Sequence, residues 1–178
     1  MKISRVGIIG GGTMGSGIAE VCARAGLQTI VVDVDDAAIA RASDKIQKSL
    51  ERAYKKGLLS QDQQASALAN LQFATSLDSL GEVDLAIESV IEHEEEKIEV
   101  FQRLDKVCPS GAILVSNTSS IPIVTLAKAT SRPDRVAGLH FFNPAPVQPL
   151  VEIINGLTTS TETTDALDSF SRDVLGKH

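Results

Sequence analysis

What constrains this chain most is a glycine-punctuated turn set between two apolar runs. Arg5-Val6-Gly7-Ile8-Ile9 leads into Gly10-Gly11-Gly12-Thr13-Met14-Gly15. Ser16 to Gly26 then carries helical spacing, and Gln28 to Val32 is a second apolar run closing on Asp33. Strand, tight turn, helix and second strand in this order make one βαβ half of a dinucleotide site. Gly10 allows a sharp exit from the strand, Gly12 lets the backbone come close to a pyrophosphate, and Gly15 lets the helix lie against the sheet. The exposed amides and partial positive charge at the helix start favour phosphates without any basic side chain. Asp33 ends the second strand, where a carboxylate accepts hydrogen bonds from ribose hydroxyls and repels a 2′-phosphate, so NAD is favoured over NADP. A glycine turn alone is a common structural feature; here the flanking strands, the helix and the acid agree with it.

A chain of 178 residues suits one domain with one sizeable core. The formal net charge of −6 argues against non-specific nucleic-acid binding, which needs a basic surface, but leaves room for a local basic pocket. Cys22 and Cys108 are the only cysteines, and their neighbours suggest neither a metal site nor a redox pair. No apolar run approaches the ~18 residues of a membrane span, and the first residues do not read as a signal peptide. A cytoplasmic placement with reduced thiols is the expectation.

Along the chain, Asp35-Asp36 can cap a long helix from about Ala37 to Lys56, with Ile39, Ala42, Ile46, Leu50 and Ala53 on one apolar face and Gly57 as its stop. A second helix, roughly Gln61 to Ala69, returns the chain to a strand at Leu71 to Ala74. This helical hairpin exceeds a minimal crossover, so it reads either as an arm that reaches a ligand or partner or as surface decoration. Val83 to Glu88 is a mostly apolar strand. The run around Glu92 to Val107 is a helix with Ile98, Phe101, Leu104 and Val107 inward, and its Glu94, Glu95 and Glu96 read as a solvated face rather than a metal site. Ala112 to Val115 is a strand that opens into the polar turn Ser116-Asn117-Thr118-Ser119-Ser120. Ile121 to Lys128 is a brief helix with Pro122 in its first turn. Val136 to Phe141 and Leu150 to Ile154 are strands, and Thr161 to Leu175 is a closing amphipathic helix. This alternation predicts an α/β fold, a Rossmann-type doubly wound and mostly parallel sheet with a helical hairpin insertion.

Three histidines make a short catalytic inventory. His178 is the last residue, and His93 sits at an acidic helix start where a capping or solvated role is the simpler reading. His140 ends an apolar strand, and Glu152 lies on the next one, so neighbouring strands can bring the carboxylate to the imidazole, fixing its tautomer and stabilising the imidazolium. Oxidation of an alcohol by a nicotinamide needs a base to take the hydroxyl proton, and such a His suits this. A hydrogen-bonded strand-end histidine with no catalytic role is an equally good reading of these two residues by themselves.

Four separated segments, in order, resemble the cofactor-binding domain of the L-3-hydroxyacyl-CoA dehydrogenases. They are Gly10-x-Gly12-x-Met14-Gly15-x-Gly17-Ile18-Ala19, Ser116-Asn117-Thr118-Ser119-Ser120, Gly138-Leu139-His140-Phe141-Phe142-Asn143-Pro144 and Leu150-Val151-Glu152-Ile153. The resemblance covers essentially the whole chain. It implies NAD-dependent interconversion of (3S)-hydroxyacyl-CoA and 3-ketoacyl-CoA, as in fatty acid metabolism, with His140 as base, Glu152 as its orienting partner, and Ser119 and Asn143 beside the reacting centre. It further implies that Gly10, Gly12, Thr13, Met14, Gly15, Asp33, Glu92, Lys97, Ser119 and Asn143 bind NAD, and that Ser49, Lys56 and Ser119 touch CoA. A lysine on the long helix can pair with a CoA phosphate despite the acidic total. Family members continue past the Gly176-Lys177-His178 region into a helical domain that supplies most of a dimer interface and closes over substrate. The expectation is therefore that residues 1–178 are the NAD-binding domain alone, with weak or no turnover of its own, and a homodimer when that second domain is present.

Three alternatives stay open. A relative that acts on free acids would use a lysine base, and no lysine motif replaces His140. A relative that acts on acyl-carrier-protein thioesters would show the same reacting groups. A structural or sensor protein could keep NAD binding without catalysis, since fold does not fix function.

Overall fold

Because strands with both faces covered read as short unbroken apolar runs, the sequence pattern translates directly into a buried sheet. The computed structural model describes residues 2–178. Its strands are β1 (Arg5–Ile9), β2 (Gln28–Val32), β3 (Leu71–Ala74), β4 (Leu85–Glu88), β5 (Ile113–Ser116), β6 (Val136–Phe141) and β7 (Val151–Asn155), ordered β3-β2-β1-β4-β5-β6-β7. All neighbours pair parallel except β7, which runs antiparallel to β6. The order reverses between β1 and β4, and the crevice beyond the carboxyl ends of those strands is where such sheets bind ligands.

Helices cover both faces. On one lie α1 (Thr13–Arg24), α2 (Asp36–Lys55), α3 (Gln61–Ala69) and α6 (Thr161–Ser169), where Ile18, Ile46, Leu50 and Leu167 pack on Val6, Ile8 and Leu139. On the other, α4 (Glu94–Val107), α5 (Ile123–Ala127) and a 3-10 turn at Leu77–Leu80 bring Phe101, Leu104, Leu126 and Leu80 onto Ala86 and Leu114. Each such side chain, taken fully out of water, contributes about 1.5–3 kcal/mol before chain entropy is subtracted.

Several element ends differ from the sequence expectation, each for a local reason. Helix α1 begins at Thr13 rather than Ser16, because Gly12 already occupies the cap position, and it stops before Gly26, whose φ is +84°. Helix α4 begins at Glu94, with His93 at its cap and Glu92 left in the preceding loop. Helix α5 shrinks to Ile123–Ala127 with Pro122 outside as the cap residue; the Thr118 hydroxyl takes the Ser120 and Ile121 amides instead. The closing helix is regular only to Ser169 and widens into a π-type turn over Phe170–Val174. The helical hairpin lies along α1 rather than standing away from it, with Ala42, Ile46, Leu50, Ala53 and Ala67 in the core. Ala38, not Ile39, is the buried residue at the start of its inward face. No helix among the described residues is long and apolar enough to cross a membrane.

Candidate functional site

The glycine turn explains itself in contacts. Gly10 has φ +95°, a conformation that L side chains rarely adopt, and its amide donates to the Val32 carbonyl at 2.8 Å. A Cβ on Gly15 would sit 1.8 Å from the Gly10 carbonyl oxygen, so only glycine lets α1 start this close to the end of β1. A Cβ on Gly12 would meet nothing within 4 Å, and no side chain caps the helix there. Uncapped amides facing open space at the start of a twelve-residue helix suit a pyrophosphate. Asp33 closes the turn from β2: Oδ2 accepts from the Gly11 amide and Oδ1 from the Val34 amide, both at 2.7 Å. Each oxygen keeps a further lone pair for a ribose hydroxyl.

From this turn a cleft of about 470 Å³ runs to the ends of β4, β5 and β6, lined by Thr13 and Met14 on one side and by Glu92, Lys97, Ser119, His140 and Asn143 on the other. Its floor is ionic. Lys97 is buried, and its Nζ donates to Glu88 Oε1 at 2.6 Å and lies 3.3 Å from Glu92 Oε2. Glu88 is fully buried; it also accepts from the Val90 amide at 2.7 Å and the Ser116 hydroxyl at 2.5 Å. Glu92 accepts from the Thr118 hydroxyl, the Ser119 amide at 3.1 Å and the Ser120 hydroxyl at 3.0 Å. Burial pushes the Glu92 carboxyl up, but the Thr118 hydrogen bond, the Lys97 charge and the Ser120 hydrogen bond outweigh it and hold the group down at about 2. The loop after β4 is thereby fastened to the turn after β5 that carries Ser119.

His140 and Glu152 are register partners on β6 and β7, and Nδ1 lies 2.8 Å from Glu152 Oε2. With the Nδ1 proton given to the carboxylate, Nε2 is left as the acceptor. The imidazole side chain is mostly covered at 21% exposure, with the Phe142 ring tilted against it at 4.8 Å between centroids. Asn117 Oδ1 accepts from the Phe141 amide at 2.8 Å, tying the ends of β5 and β6 together beside it.

A second groove of about 300 Å³ meets the first at Thr13 and Asn143 and is walled by α2 through Lys45, Lys48, Ser49 and Arg52. Lys56 is the residue after α2, exposed, and is not among the groove's lining. The turn opposite, which starts at Asn143, is gripped from outside: buried Lys177 donates from Nζ to the carbonyls of Ala145 at 2.9 Å and Gln148 at 2.7 Å.

Of the residues singled out from the sequence, Thr13, Met14, Glu92, Lys97, Ser119, His140 and Asn143 share one cleft, and Glu152 stands directly behind His140. Gly10, Gly12, Gly15 and Asp33 form the turn that feeds it. Sequence reasoning marked the Ser116–Ser120 turn as a whole but not the bonds that Ser116, Asn117 and Thr118 make, and it missed Glu88 as part of the site and Lys45 and Arg52 as the basic wall. Glu88 carried a signal: it is an acid closing an apolar strand that points at the same crevice. Among the described residues, no group of three or more His, Cys, Asp or Glu side chains is arranged to hold a metal ion.

A family model described as 3-hydroxyacyl-CoA dehydrogenase, NAD binding domain, matches residues 5–178. The 3-hydroxybutyryl-CoA dehydrogenase of Mycobacterium tuberculosis is 48% identical over 176 residues, which is 98% of this chain and 62% of that protein. The mitochondrial hydroxyacyl-coenzyme A dehydrogenase of Homo sapiens is 42% identical over 183 residues, covering 99% of this chain and 58% of that protein. Among solved structures, an (S)-3-hydroxybutyryl-CoA dehydrogenase from Ralstonia eutropha matches with a TM-score of 0.96 at 45% identity, over 99% of this chain and 62% of that one. The chain thus spans about six-tenths of the length of these two curated relatives.

Proposed function

This chain belongs to the NAD-binding domain family of the 3-hydroxyacyl-CoA dehydrogenases, and from that premise we propose that it is the cofactor-binding part of an enzyme interconverting (3S)-hydroxyacyl-CoA and 3-ketoacyl-CoA. The observation that carries this reading is the His140–Glu152 contact at the mouth of the cleft that begins at the glycine turn. When bound, NAD supplies the hydride acceptor. The open backbone at Gly12, the uncapped start of α1 and the Asp33 carboxylate fit its phosphates and adenosine ribose.

In the proposed reaction His140 Nε2 takes the hydroxyl proton while Glu152 stabilises the imidazolium through Nδ1. General base catalysis of this kind contributes typically ~10²- to 10⁴-fold. Ser119 and Asn143 line the same cleft and orient the hydroxyl or the ketone oxygen. In this reading Ser49 contacts CoA from within the second groove and Lys56 from outside it, beyond the end of α2, while Lys45 and Arg52 add positive charge where a CoA phosphate would lie. Residues 1–178 form one domain, with a further helical domain and a homodimer belonging to the whole protein. The buried free thiols Cys22 and Cys108 suit a reducing compartment such as the cytoplasm.

The test is NADH oxidation, followed by absorbance, with acetoacetyl-CoA and longer 3-ketoacyl-CoAs. This chain and a version extended to the length of its relatives are assayed side by side. Turnover by the extended protein with CoA thioesters supports the proposal. Turnover only with carrier-protein thioesters moves the substrate class, and none with either removes the enzymatic reading.

A further inference from the structure

Two acids flank one buried lysine at the floor of the cofactor cleft, and the count does not balance. Glu88 and Glu92 both approach Lys97 Nζ, at 2.6 Å and 3.3 Å, so two carboxylates share a single ammonium. The surplus is not spread evenly. Lys97 and Glu88 expose 1% and 0% of their side chains, whereas Glu92 exposes 41% and lines the cleft with His140. Three donors from the Thr118–Ser120 turn hold that carboxylate in place.

The two redox forms of the cofactor share adenosine, pyrophosphate and both riboses. Their charges differ by one unit, at the nicotinamide ring, which is cationic when oxidised and neutral when reduced. Contacts at Gly12 and Asp33 therefore cancel in the ratio of the two affinities, and the local potential at the ring end of the cleft does not. We infer that the unbalanced Glu88–Lys97–Glu92 group sets the balance between NAD⁺ and NADH binding in this domain, with Glu92 acting on the ring directly and Glu88 positioning Lys97. The negative surplus favours the cationic form, and the effect is stronger beside the buried Glu88–Lys97 pair, where water is displaced, than between charges in bulk solvent. His140 stands between Glu152 and the cleft, so the acid behind it contributes less at the ring.

This inference rests on NAD binding by the chain, and wild-type affinities for NAD⁺ and NADH check that premise separately. Dissociation constants for both forms are then measured by calorimetry and NADH fluorescence at one pH for Glu92→Gln, Glu88→Gln and Glu95→Gln. Glu95 is a control acid on the outside of α4, 78% exposed. Glu92→Gln weakens NAD⁺ about five- to tenfold and leaves NADH within about twofold, and the difference shrinks as salt is raised. A tenfold change in the ratio corresponds to about 30 mV in the potential of the bound couple. Glu88→Gln moves the ratio in the same direction, and Glu95→Gln leaves it unchanged. Equal weakening of both forms by Glu92→Gln, no change in either, or an equal response to Glu95→Gln overturns the inference. Because Glu92 is partly exposed and the substitution is isosteric, this variant decides the matter even if Glu88→Gln fails to fold.

Discussion

His140 and Glu152 occupy opposite positions on two antiparallel strands, and their side chains meet at 2.8 Å. If the imidazole is the proton acceptor, His140→Gln lowers turnover of the extended protein by about 10²- to 10⁴-fold while NADH affinity stays within about twofold. Glu152→Gln gives a smaller loss in kcat. Steady-state kinetics paired with fluorescence titration separate the two effects, and unchanged turnover in the His140 variant refutes the assignment.

Two glycines of the same turn have opposite sensitivities. Gly15→Ala forces a Cβ against the Gly10 carbonyl, an overpacking that costs about 1–3 kcal/mol or more and lowers Tm by roughly 3–10 °C. Gly12→Ala meets nothing in the protein, so Tm holds and NADH binding weakens. Melting curves with and without NADH distinguish the two.

Asp33 holds the Gly11 amide with one oxygen and the Val34 amide with the other. Asp33→Asn retains one acceptor and removes the charge, so NADH affinity falls about tenfold and discrimination against NADPH narrows. Parallel titrations with the two reduced cofactors measure this.

Lys97→Met strands Glu88 without its cation at a position that solvent does not reach. Removing one partner of a buried pair costs about 3–5 kcal/mol. Urea unfolding of this variant shows a lower midpoint with an unchanged slope.

Acid acts on the same network. Glu92 is held at about 2 against an ordinary 4.5, so its contribution to stability is complete above about pH 4.5 and is lost as pH falls through that value towards 2. Asp84 and Asp105 are also lowered: burial raises each, but amide and side-chain hydrogen bonds from Ser4 and Ser131, with help from Arg5 and Arg132, prevail. Unfolding free energy drops with acid across this range, and in Glu92→Gln the drop is shallower.

The βαβ start, the alternation of strands and helices and the His140–Glu152 pair were legible because each is written in spacing: glycines at fixed intervals, apolar runs, and an acid on the strand after the histidine. Glu88 and Lys97 were harder to read as a pair. Glu88 looks like the polar end of a strand, and Lys97, although the resemblance picks it out as a cofactor contact, carries no sign of its partner; only the packing of α4 over β4 buries them together. Lys45 and Arg52 were hidden for the opposite reason. They sit on the solvated face of α2, and only the approach of the Asn143–Pro146 turn makes that face the wall of a groove. Glu92 falls between these cases, since its position was picked out by resemblance while its bonding to the Thr118–Ser120 turn needed coordinates.

Residues 149–151 lead into β7 while bonded to His178, whose amide donates to the Pro149 carbonyl and whose carbonyl accepts from the Val151 amide; Lys177 grips the turn just before them. A sliding strand carries its side chains to the other face with every single-residue step. These fastenings therefore act as a ratchet stop on β7, and what they guard is parity: one step of slippage would turn the Glu152 carboxylate away from the imidazole without unfolding anything.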